Sequence, residues 1–112
     1  MKTGEKISIE ELKQGRILDC KELLSFFQAH KSLFWSWGAH AFMKMTESCL
    51  RMKVNGHHHK GHVYIFLNAA DTFDVYLTST QGKILQIIEG LYIDQIFNVL
   101  DERIEKIAAY KV

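Results

Sequence analysis

The stretch HVYIFLNAADTFDVYLTST, residues 62–80, decides the fold. Val63, Ile65 and Leu67 alternate with His62, Tyr64 and Phe66, and Phe73, Val75 and Leu77 alternate with Asp74, Tyr76 and Thr78. An alternation of period two becomes two chemically different faces only in a β-strand. The NAAD run between the two segments is made of turn-forming and small residues, so the pair is expected to reverse direction there.

The pattern extends in both directions. Upstream, Leu50, Met52 and Val54 alternate with Cys49, Arg51 and Lys53, and every odd position from 35 to 45 is apolar, which predicts two more strands joined by a turn over 46–48. Downstream, STQG at 79–82 marks another reversal and a fifth strand is expected from 83 to about 89. Parallel strands would need crossovers of about a dozen residues, so these short links predict an antiparallel meander.

Helices flank the sheet in the chain. Ser8 with Glu11 three positions on is a capping-box signature for a short helix that Gly15 stops. Asp19 caps a second, CKELLSFFQAHK over 20–31, with Cys20, Leu23, Leu24 and Phe27 on one stripe. Asp94 caps the last, whose stripe is Ile96, Phe97, Leu100, Ile104, Ile107 and Ala108. The expected fold is α+β: a five-stranded antiparallel meander with two N-terminal helices and one C-terminal helix packed on one face, in a single domain over 1–112.

Composition narrows the function classes. With 47% hydrophobic, 12% aromatic and 24% charged residues the chain has material for a packed core, and a net charge of +1 provides no global attraction to nucleic acid or an anionic membrane. The first residues carry charges and lack a leader's apolar run, and no segment approaches the roughly 20 apolar residues of a membrane span, so a cytoplasmic, soluble protein without membrane contact is expected. Cys20 and Cys49 form no CxxC pair and read as reduced thiols.

The stretch NGHHHKGH, residues 55–62, raises the question of a metal. His57 and His59 would share a side of an extended chain, with His62 as a third ligand. No carboxylate lies within the loop to orient the imidazoles, and Lys60 adds a repelling charge. The better reading is a solvated hairpin tip of His57, His58, His59 and Lys60, opened by Asn55-Gly56 and closed by Gly61, and no cofactor is expected. There is also no phosphate-cradling glycine loop and no nucleophile elbow, so a non-enzymatic role is favoured.

Trp35 and Trp37 share the parity of Met43 and Met45 and are expected inside, beneath the helices. The other face then collects Phe42, Arg51, Lys53, Tyr64, Phe66 and Tyr76, which are the candidate binding residues. Rings with interleaved cations suit single-stranded nucleic acid, which stacks bases and neutralises phosphate. Aromatics with a polar handle equally suit a protein partner or a second copy of the chain, and near-neutral charge favours that reading, a homodimer included.

FWSWGAHAF, VNGHHHKGHVYIFLNAADTFDVYL and GLYIDQIFNVLDERIEKI together resemble a pattern of small bacterial α+β proteins without assigned activity, some carried on phage or other mobile elements. The resemblance spans about residues 34–107 and rests on the tryptophan-glycine pair, the NG-to-G turn, the LN-to-D segment and the terminal helix; the histidines are not part of it. It implies a phage or mobile-element setting and transfers no catalytic or binding residue.

Overall fold

Five strands, β1 (His40–Thr46), β2 (Cys49–Asn55), β3 (Lys60–Leu67), β4 (Phe73–Thr78) and β5 (Ile84–Leu91), form one antiparallel sheet in chain order. The coordinates are a computed structural model that describes residues 2–19, 21–23, 25, 38, 40–56 and 59–104. Between β2 and β3 the register runs unbroken from Cys49 opposite Phe66 to Asn55 opposite Lys60. Directly opposed residues point to the same face, so Leu50, Met52 and Val54 join Ile65, Val63, Val75 and Leu77 in one buried layer.

That layer is covered by α1 (Ile93–Ile104), which buries Ile96, Leu100 and Ile104, while Leu18 and Leu23 join the same cluster. The side chain of Phe97, and all of Ile107 and Ala108, lie outside the described residues. Asp94 is not the cap. The helix begins after Tyr92, whose N–H donates to Gln95 Oε1 at 2.9 Å, the return half of a capping box, and Asp94 sits inside the first turn where its charge complements the positive end of the helix dipole.

The expected pair of N-terminal helices is corrected. The first is a single 3-10 turn, Glu11–Lys13, although Glu11 N–H still reaches Ser8 Oγ at 3.4 Å. Of the second, positions 21–23 and 25 are helical and start at Asp19, whose Oδ1 accepts from the N–H groups of Lys21 and Glu22 at 3.0 and 3.1 Å; Cys20, Leu24 and Phe27 lie outside the described residues. Among the described residues α1 is the one long helix, and it is not long and apolar enough to cross a membrane.

Nor do all the coverings share one face. Ile7, Ile9 and Leu12 pack with Cys49, Tyr64, Phe66, Tyr76 and Ile84, residues of opposite parity to those beneath α1. The N-terminal segment is therefore a strap over the second face. Gly4, Glu5 and Ile7 exchange backbone hydrogen bonds with Ile84 and Gly82, which fixes its start along the outer edge of β5. At the far end Thr46 Oγ1 donates to Leu12 O at 2.7 Å, Arg16 N–H to Leu67 O at 3.0 Å and Leu18 N–H to Glu47 O at 2.7 Å, so the chain turns round the end of the sheet to the α1 side. Gly15 makes the turn: a Cβ there would overlap Leu67 O and the Phe66 ring.

The alternation expected in the first strand also breaks. Register shifts follow His40 and Lys44, and Ala41 has φ 54, a left-handed value rare outside glycine. Each bulge shifts the facing of the residues beyond it. Met43 is thus half exposed, and Met45 packs beneath the strap rather than beneath α1. Trp35, Trp37 and Ala39 lie outside the described residues.

Candidate functional site

The second sheet face divides into two ends. Across its middle Arg51, Tyr64, Tyr76 and Ile87 are successive cross-strand partners. Tyr64, Phe66 and Tyr76 are 3%, 8% and 7% exposed, which corrects the expectation of an open aromatic face: their rings are under the strap. Burial is also the main reason that the Tyr76 hydroxyl is pushed up to about 12, with the negative charges of Asp74 and Glu89 adding to it. The other end is basic and wetter. Lys53 is exposed between His40 and His62, and Arg51 is half-buried with Nη2 3.6 Å from Met43 Sδ. Phe42 lies apart on β1, 42% exposed. Base stacking needs an open ring face, and the three sheet aromatics present none.

The histidine hairpin is more enclosed than its sequence suggests. Gly56 N–H donates to His59 O at 3.0 Å; His57 and His58 lie outside the described residues. Neither flanking glycine is held by turn geometry alone. A Cβ on Gly56 would strike Ile104 at the end of α1, and one on Gly61, φ 147, would strike Thr78 O on β4. The expectation of a solvated tip fails at His59, which is buried. Its Nε2 lies 3.2 Å from His62 O, and because a carbonyl can only accept, that nitrogen carries a proton and is unavailable to a metal.

Burial holds His59 below the usual histidine range. His62, half-buried and edge-on to Tyr64 at 6.3 Å, is held low first by burial and then by the charges of Arg51 and Lys53. Among the described residues no three His, Cys, Asp or Glu side chains stand together as a metal site.

A different place offers a concave surface. Where the strap turns onto the α1 side, Ile17, Leu18, Asp19, Glu22 and Leu23 face Leu67, Asp71 and Phe73 of the β3–β4 hairpin and Tyr92 and Ile93 at the start of α1, enclosing about 320 Å³. That is near the lower limit for ligand clefts.

Asn68 organises the hairpin that supplies Leu67, Asp71 and Phe73 to the cleft. Its Oδ1 accepts from the N–H groups of Ala70 and Thr72 at 2.9 and 3.2 Å, and its Nδ2 donates to Thr72 Oγ1 and Asp74 Oδ1, both at 2.9 Å. Asp74 is buried and also accepts from Gly90 N–H at 3.1 Å, which ties the hairpin to β5. This network carries Asp71 to the rim with φ 66, and the turn is organised by Asn68 rather than by Asp71. On the opposite wall Arg16 Nε donates to Ala69 O at 3.2 Å, which pins the strap to the hairpin.

The cleft floor is apolar, and its rim carries two large apolar side chains in water: Ile17 is 79% and Tyr92 63% exposed. Among the described residues the titratable lining groups are Asp19, Glu22, Asp71 and Tyr92. Ile17 beside Leu18 was the cleft's one trace in the sequence, two adjacent apolar residues of which an extended chain can bury only one. Of the sequence-derived binding residues, none lines it. No family model, curated protein or solved structure matches this chain.

Proposed function

We propose that the protein is a non-enzymatic interaction module whose contact surface is the cleft between the strap, the β3–β4 hairpin and the start of α1. One observation carries the reading: Ile17 and Tyr92, among the most exposed large apolar side chains, both border the same concave surface. Scattered apolar residues on a surface are ordinary, whereas apolar residues gathered round a cleft mark contact sites. The partner is a protein, met in the cytoplasm. Self-association through the same cleft is the homodimeric form of the proposal.

Light scattering over a concentration series separates the two forms. A dimer that Tyr92→Ser abolishes assigns the cleft to a second copy, and a monomer at every concentration assigns it to another protein. Amide shifts of the labelled protein titrated with short apolar peptides test the surface itself. Changes at Ile17, Leu23, Phe73 and Ile93 support the proposal; changes confined to β1 or to the basic end of the second face overturn it.

A further inference from the structure

Resting on the reading of the cleft as a contact surface, we infer that its occupant is a basic-apolar segment of a partner protein, a large apolar side chain flanked by lysine or arginine. The cleft pairs an apolar floor of Leu18, Leu23, Leu67, Phe73 and Ile93 with carboxylates from two different walls, Asp19 and Glu22 on the strap side and Asp71 on the hairpin. Among the described residues no lysine, arginine or histidine lines it. The nearest cation in the chain to Ile17, Arg16, directs its guanidinium Nε to Ala69 O.

Each carboxylate is held by an arrangement that folding requires for other reasons. Asp19 caps the helical turn at 21–23 through two N–H donors, Glu22 lies within that turn, and Asp71 closes a loop organised by Asn68. An apolar anchor entering the floor brings its neighbours to the rim within a few ångströms of like charges. Cations there gain attraction in a partly desolvated site, and anions are repelled. A flat acidic surface would not select in this way, because it offers no apolar seat to fix the register of the incoming segment.

Three blocked pentapeptides serve as probes, with phenylalanine at the centre and lysine pairs, serine pairs or glutamate pairs on either side. Each is titrated onto the labelled full chain at low and at physiological salt, with amide shifts followed at Ile17, Leu23 and Tyr92. The lysine peptide is expected to bind at least about fivefold more tightly than the serine peptide, to weaken with salt, and to lose about fivefold with Glu22→Lys, the scale of one exposed charge pair. The glutamate peptide is expected to bind most weakly of the three.

Equal binding of all three peptides at the cleft overturns the charge selectivity and leaves the contact surface standing. No binding of any peptide there overturns both. Glu22 is exposed and belongs to neither apolar cluster, so the variant's loss of binding reads charge rather than unfolding.

Discussion

His59 has been taken out of water with no acidic partner among the described residues, and its protonation therefore works against the fold. Its folded-state pKa lies below the ordinary 6.5, so as pH falls through that value the unfolded chain takes up a proton that the folded chain refuses. Stability is fully present above about pH 6.5 and declines on acidification toward the lower folded-state value; His62, shifted the same way, steepens the decline. Urea midpoints are expected to fall between pH 7.5 and 5.5, and His59→Gln, which keeps a donor for His62 O, is expected to flatten the slope. An unchanged slope in that variant would place the titration elsewhere. Gly15 is a second residue whose role is steric: Gly15→Ala forces Leu67 O or the Phe66 ring to move and is expected to cost about 1–3 kcal/mol in denaturant titration. Neither role was legible in the sequence. Both depend on what a distant strand places opposite the residue.

Elements were legible where both neighbours repeat the same period. β2, β3 and β4 follow their alternation because an unbroken register transmits facing from one strand to the next. β1 departs from it because Ala41 takes a left-handed conformation and the register slips twice, which no pattern of apolar residues announces. The last helix was visible from Ile96, Leu100 and Ile104, but its start was displaced by two: the sequence offers Asp94 as a cap, and the chain uses Gln95 to reach back to Tyr92. A pair of substitutions distinguishes the two. Gln95→Ala is expected to lower stability by about 0.5–1 kcal/mol, a fall of about 4 °C in melting temperature. Asp94→Glu keeps the charge near the helix start and is expected to change almost nothing, whereas a true capping aspartate would lose about 1 kcal/mol.

At the scale of the whole molecule the second covering was the hidden feature. Tyr64, Phe66 and Tyr76 share their parity with the polar His62, Asn68, Asp74 and Thr78, and their burial is decided by Ile7, Ile9 and Leu12, which lie far away along the chain. The cleft was hidden for the same reason, being assembled from three segments that are remote in sequence. The result is one sheet carrying two separate apolar clusters, one beneath α1 and one beneath the strap. Sheets and their coverings stack about 10 Å apart, so side chains on opposite faces share no contacts and couple only through the strands between them. Ile96→Val in the first cluster and Ile84→Val in the second, both at fully buried positions, are each expected to cost about 0.5–1.5 kcal/mol. In the double variant the costs are expected to add to within about 0.5 kcal/mol, as for sites without shared partners. A larger departure measured in a double-mutant cycle would mean that the strands shift as one body when either face loses a methyl group, and that the strap and α1 are coupled through the sheet; by that route a partner seated in the cleft, which touches both, would tighten the whole fold.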